Sequence, residues 1–406
     1  MRLADGTTLL HIGPYKTGTT AMQGALWEAR DALAEHGVRY PGERAHEMGA
    51  AMAVALGRVE PGQDLAEQRE RWHALAAELR DERPRIGIVS SEVYCEASDE
   101  GARAVLDGLG PATQVLITLR PVVRLLGSQW QQYTQNIAVP SYPDWLREIL
   151  DHPEGERVTP SFWRRHRHDR LVERWVGLVG PERVTVVVVD DRDHDGLPRV
   201  FEKLLGVPAG LLQTPADRSN RSLTFPETQL VQALVRRTNG PAFGPAFDSA
   251  DHSRFVRFGA ARGLQAAPAD RAAERVLTPA WAVDQALAIG ASMAARVAAS
   301  GATVIGDLGL LSDPALAPAT GDNAPVTAVD PVAAAALVAG VISKLSGVRG
   351  GPEPRVDGGP VEKAVWSRHH AVVAQWESAP PSVAPAERSS LRALAGRVRR
   401  RLGGSR

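Results

Sequence analysis

The chain has 406 residues, with 47 Lys plus Arg set against 47 Asp plus Glu, 44% hydrophobic and 5% aromatic residues. Balanced charge excludes a global field of the kind that gathers nucleic acid, and a single cysteine, Cys95, excludes an intramolecular disulfide framework or a multi-cysteine zinc site. The longest apolar run, residues 332–342, is too short to cross a bilayer and no apolar leader precedes the first strand, so a cytoplasmic protein is expected.

Residues 9–12 read as a short buried strand, with His11 as a core histidine inside it. Gly13-Pro14-Tyr15-Lys16-Thr17-Gly18 then forms a loop, and a helix runs from residue 21 to about 36, its first turn at Gly18-Thr19-Thr20 and its stop at Gly37. Residues 38–41 are extended and lead into a loop carrying His46; an amphipathic helix covers about 64–82. Residues 86–91 are the next strand, ending at Glu92, and a helix capped near Ser98 follows. The β-branched run 114–119 is a buried strand that ends at Arg120-Pro121, and the helix after it carries Arg124, Ser128 and Trp130.

Further on, 162–179 reads as one helix, and its His166-Arg167-His168 as a solvated basic face, because alternate residues on a helix do not share a face. Residues 183–189 form a strand ending in Asp190-Asp191, and a helix over about 197–205 stops at Gly206. Strands separated by helix-length segments imply an α/β fold, a parallel sheet with helices on both faces, with Lys16, Glu92 and Arg120 at the carboxyl edge where such sheets bind ligands. From about 218 the pattern turns helical, with a basic loop at residues 218–222, a long helix over 279–300 and a short strand or turn over 303–308. We divide the chain into a domain over 1–310 and a C-terminal appendage over 311–406. The appendage has Pro/Gly-rich stretches at 312–329, 347–360 and 378–385, and a helix started by Asp330-Pro331. Between Arg388 and Arg406 lie seven arginines and no acid, with Leu391, Leu394, Val398 and Leu402 at helical spacing. That segment is either a basic amphipathic contact for an anionic membrane or acidic partner, or a solubilising tail.

The loop after the first strand is an anion cradle: unpaired amides and the positive end of a helix dipole meet Lys16 and the hydroxyls of Thr17, Thr19 and Thr20. In a nucleotide P-loop the lysine follows the second glycine; here Thr19 stands at that place and Lys16 sits inside the loop. In this respect Gly13-Pro14-Tyr15-Lys16-Thr17-Gly18-Thr19-Thr20 resembles the 5′-phosphosulfate loop of the sulfotransferase family, x-P-K-[ST]-G-[ST]-T, with Tyr15 as an added residue. Arg120 and Ser128 resemble the family's 3′-phosphate motif, an Arg at a strand end and a Ser in the next helix. The likeness covers roughly residues 5–310 and is strongest to bacterial members of actinobacterial type.

The resemblance implies a P-loop-like sulfotransferase fold, 3′-phosphoadenosine 5′-phosphosulfate as co-substrate without a metal, and in-line transfer of the sulfuryl group to a hydroxyl of a small molecule, glycan or lipid. Lys16 would steady the bridging oxygen and Arg120 with Ser128 the 3′-phosphate. Glu92 lies where many members carry a catalytic histidine, and His46 lies in a loop similar to one in which carbohydrate sulfotransferases carry a glutamate, so either is the expected general base. The usual aromatic after the loop is replaced by Ala21, leaving Trp130, Trp163 and Phe225 unranked as stacking partners for adenine. Two other classes stay open: a Mg²⁺-dependent kinase or ATPase with Asp190 on the metal, and a non-catalytic nucleotide-binding scaffold.

Overall fold

The computed structural model describes residues 2–60, 62–153, 157–214, 221–239, 249–268 and 275–345. Its strands are β1 (Thr7–Ile12), β2 (Val38–Arg39), β3 (Ile86–Ser90), β4 (Thr113–Leu119), β5 (Val184–Val188) and β6 (Thr303–Ile305). They form one all-parallel sheet in the order β2-β3-β1-β4-β5-β6, in which Leu10 of β1 lies between Val89 of β3 and Val115 of β4. The connecting helices are α1 (Thr19–Glu28), α2 (Arg30–Glu35), α3 (Met48–Ala55), α4 (Leu65–Glu82), α5 (Asp99–Leu109), α6 (Leu126–Thr134), α7 (Tyr142–Asp151), α8 (Ser161–His166), α9 (His168–Val179) and α10 (Gly196–Leu205). The helical remainder comprises α11 (Phe225–Thr238), the short α12 (Ser249–Asp251) running into a π-helical segment (His252–Ala261), α13 (Arg262–Ala266), α14 (Ala280–Ala299) and α15 (Pro331–Leu345).

Side-chain alternation along the strands feeds two cores. Leu10, Ile12, Ile117 and Val186 pack with α3, α4, α5 and α9, whereas Leu9, Ile88, Leu116 and Val187 pack with α1, α2 and α10. The expected parallel sheet covered on both faces is therefore present, and the carboxyl ends of β1, β3, β4 and β5 converge on one edge. Beyond it, Trp130, Tyr142, Trp145 and Phe162 build an aromatic core between α6, α7, α8 and α14. Trp130 is fully buried and stacks 6.1 Å from Phe225, and Trp163 donates to the Ile149 carbonyl, so these rings are committed to packing.

Several local expectations are corrected. The helix expected over 21–36 is two, because Ala29 leaves helical angles at φ −90°, ψ 3°. The helix expected over 162–179 breaks at Arg167, where ψ is 79° and the guanidinium turns back onto Asp169. Pro121 does not open an α-helix: a 3₁₀ turn (Val122–Arg124) intervenes and α6 begins at Leu126. The short strand or turn expected over 303–308 is present as an edge strand over 303–305, parallel to β5.

In the C-terminal helical part, α15 lies on the segment 252–266 through facing glycines, since a Cβ on Gly340 would come within 2.2 Å of the Gly259 carbonyl oxygen. Residues 346–406, with the stretches at 347–360 and 378–385 and the basic segment 388–406, lie outside the described residues. No helix among the described residues is long and apolar enough to cross a membrane.

Gly290, in the middle of α14, tests how tightly these layers close. Helix propensity alone favours alanine there by about 1 kcal/mol. The added Cβ would sit 2.1 Å from the Leu311 carbonyl oxygen, a backbone atom that cannot rotate away. Overpacking of this kind costs about 1–3 kcal/mol or more, so Gly290→Ala is expected to lower Tm in a thermal melt; an unchanged or raised Tm would mean the backbone around Leu311 yields freely.

Candidate active site

Two glycines and a lysine shape the loop between β1 and α1. A Cβ on Gly13 would meet Thr19 Oγ1 at 1.9 Å, because that hydroxyl donates to the Gly13 carbonyl at 3.0 Å. Gly18 turns the chain into α1 at φ +91°, and Lys16 itself lies in the left-handed region at φ +72°. Thr17 is buried; its Oγ1 lies 2.8 Å from both the Pro14 carbonyl and Thr118 Oγ1 of β4. The hydroxyls of Thr17 and Thr19 thus hold the loop's shape, while Thr20 stays exposed. No side chain caps α1, so its first-turn amides are the donors the loop presents.

Tyr15, the added residue, packs on the core beneath the Arg165 guanidinium, 4.1 Å from the ring centroid, and Arg165 in turn binds Glu96 at 2.8 Å. Burial pushes the Tyr15 hydroxyl's pKa up, against the Arg165 charge. The residue therefore anchors the loop.

Arg120, at the end of β4, donates from Nη1 to the Lys16 carbonyl at 2.9 Å and from Nη2 to Asp191 Oδ2 at 2.7 Å. Two motifs that stand 104 residues apart in the chain are joined by this one side chain. Lys16 is exposed, yet desolvation by the neighbouring protein, with the charges of Arg120 and Arg257, holds its pKa below the ordinary lysine value. Arg257, on the π-helical segment, is near enough for its charge to act on Lys16, and its guanidinium lies over the Phe258 ring, 4.9 Å from the centroid, in a part of the chain where no motif marks it. Ser128 lies in the first turn of α6, where its hydroxyl donates to the Leu125 carbonyl and not to Arg120 or the loop.

The two residues expected as general base meet. His46 Nε2 lies 2.9 Å from Ser91 Oγ and 3.6 Å from Glu92 Oε2, both side chains being mostly buried. Gln23 of α1 reaches the same carboxylate at 3.4 Å and the Ser90 carbonyl at 3.2 Å, tying the pair to the helix that opens at the loop. Burial keeps the His46 imidazole below its ordinary pKa in spite of Glu92, Glu47 and Glu60, which favours the neutral ring.

His166 and His168 are not on a solvated face, contrary to expectation. The break at Arg167 turns both inward, where they are fully buried with ring centroids 6.4 Å apart. Burial first, then His168, Arg165 and Lys16, hold His166 well below the usual pKa; burial lowers His168 to about 4. His11 is the core residue expected, bonded to Ser90 Oγ at 2.8 Å and lowered by burial to about 3. Asp190 is paired with Arg192 at 2.8 Å. Residues 218–220 lie outside the described residues, whereas Arg221 of the same stretch is spent on Glu227 and the Ala267 carbonyl. A cavity of about 380 Å³ opens at the ends of β5 and β6, walled by Asp190, Arg192, Leu197, Val200, Gly306 and Leu310. Leu197 brings it against the loop, 3.4 Å from where a Cβ on Gly18 would lie.

No family model matches the chain, and no curated protein does. Among solved structures, the crystal structure of a sulfotransferase from Alicyclobacillus acidocaldarius is similar over 57% of this chain and 92% of that one, at 18% identity and a TM-score of 0.36. No residue role is carried across from it.

Three imidazoles held neutral make the fold acid-sensitive. Their folded pKa values lie below the unfolded value of about 6.5, so the unfolded chain binds more protons below that pH and stability is lost as pH falls toward the folded values. Each contributes at most about 1.4 kcal/mol per pH unit. Tm is expected to fall between pH 6.5 and 5, where carboxylates are still ionised, and less steeply in His11→Asn; a Tm flat across that window in calorimetric scans would contradict the buried, neutral assignment.

Proposed function

We propose that the chain is a sulfotransferase, moving a sulfuryl group from 3′-phosphoadenosine 5′-phosphosulfate to an acceptor hydroxyl by in-line displacement. The observation that supports this most directly is the hydrogen bond from Arg120 to the Lys16 carbonyl, which joins the end of β4 to the loop after β1. The first-turn amides of α1 would hold the 5′-phosphosulfate, and Lys16 would steady charge developing on the oxygen that bridges sulfur and phosphorus. Arg120, with Arg124 beside it, would hold the 3′-phosphate, with the charge of Arg257 adding to the pull, and the cavity beyond β5 would take the nucleoside.

On the other side of the loop, we assign His46 as the base and Glu92 as its orienter. A neutral imidazole accepts the acceptor's proton as the oxygen attacks, and the imidazolium that forms is stabilised by the carboxylate 3.6 Å away. Small-molecule, glycan and lipid hydroxyls are the acceptor classes proposed.

Calorimetric titration with adenosine 3′,5′-bisphosphate in the absence of Mg²⁺ is expected to show binding that Arg120→Ala weakens about 10–100-fold, the value of charge-assisted hydrogen bonds to a phosphate. Lys16→Ala should leave that affinity within a few-fold but lower turnover about 10²–10³-fold, because its contact strengthens in the transition state. Binding that requires Mg²⁺ and prefers ATP would refute the reading.

Once an acceptor is found, kcat/KM should fall on the acid side with an apparent pKa below about 6.5, the ordinary histidine value. His46→Gln should abolish that limb. An acid limb that survives in the variant would move the base to Glu92.

A further inference from the structure

The arginine fork assigned to the 3′-phosphate is already gripping an anion. One oxygen of Asp191, Oδ2, accepts from Arg120 Nη2 at 2.7 Å, from Arg120 Nε at 3.1 Å and from Arg124 Nε at 3.1 Å. Three N–H groups from two guanidiniums converging on a single anionic oxygen is the arrangement in which arginines bind a phosphate oxygen. We propose that Asp191 is an internal stand-in for the ligand's 3′-phosphate: it holds Arg120 and Arg124 in place before binding, gives them up when the phosphate enters, and so sets how strongly the site prefers a bisphosphate over a monophosphate nucleotide. This rests on the reading of Arg120 as the 3′-phosphate ligand.

The surroundings allow such an exchange. Asp191 lies in the turn after β5, outside strand and helix, with its side chain 19% exposed, so the released carboxylate can reach water. The turn keeps its own bonds without Asp191: the Asp193 amide donates to the Asp190 carbonyl at 3.0 Å, and the Arg192 amide to Asp190 Oδ1 at 3.0 Å. Carboxylate and phosphate cannot share the fork, because two anions at hydrogen-bond distance from the same donors repel. A phosphate dianion carries more charge to the two arginines than one carboxylate, which favours the exchange. Asp190, Arg192 and Asp193 of the same turn also wall the 380 Å³ cavity, so phosphate entry and the shape of that cavity are coupled through three neighbouring residues.

The test is calorimetric titration of wild type, Asp191→Asn and Asp191→Ala with adenosine 3′,5′-bisphosphate and with adenosine 5′-monophosphate, at one fixed salt concentration. Removing the competing charge is expected to tighten bisphosphate binding about tenfold, the worth of one charge-assisted contact, and to leave monophosphate binding within about twofold. The gain should vanish in the Arg120→Ala, Asp191→Asn double variant. Should Asp191→Ala unfold, the isosteric Asp191→Asn carries the comparison. Weaker or unchanged bisphosphate binding in Asp191→Asn, with a wild type that does prefer the bisphosphate, would show that Asp191 only orients the fork and would overturn the exchange alone. A wild type with no preference between the two nucleotides would remove Arg120's phosphate role and the exchange together.

Discussion

The guanidinium of Arg120 is the constraint on which the site depends. It leaves β4 at the carboxyl edge and ties the loop after β1, through the Lys16 carbonyl, to the turn after β5, through Asp191. Three segments that the sheet merely places side by side are thereby fixed at hydrogen-bond precision. A lysine in its place could satisfy one of these partners as a point charge, but not both in the plane that a fork provides. Asp191 alone pairs with both Arg120 and Arg124, so the edge keeps a net positive charge.

Around this centre the structure keeps further imidazoles neutral. His166 lies within the field of Lys16 and Arg165, and a protonated ring there would add to an already cationic region. Glu96 performs the complementary task, its nearly buried carboxylate drawing in Arg164 and Arg165 so that Arg165 covers Tyr15. The cationic edge is therefore built on a layer of uncharged or paired groups, and burial is the largest cause of the shifts in His166 and Tyr15.

Much of the architecture was legible because strands buried on both faces read as unbroken β-branched runs, and helices announce themselves by caps such as Ser98 and stops such as Gly206. Lys16, Arg120 and Glu92 could be placed at one edge from topology alone, whereas His46 was marked only by its loop. His11 reads correctly as a core residue, but His166 and His168 do not, because the break at Arg167 has no proline or glycine to signal it, and without the break one of the two rings would face solvent. Gln23 carried a signal that was passed over: with Thr19 it is a polar pair at helical spacing on a buried face, as Thr118 is a polar residue in an apolar strand. Arg257 and Asp191 had none, since their relation to Lys16 and Arg120 exists only after chain segments far apart come together.

The left-handed backbone of Lys16 has one more implication. A non-glycine residue in that region is disfavoured by about 1–2 kcal/mol, and glycine would adopt it freely. A selection for heat resistance acting on this protein would therefore be drawn toward replacing the lysine itself. The loop is a point where fold and chemistry pull on the same residue in opposite directions, held by the hydrogen bond from Arg120 to the carbonyl that the strained turn exposes.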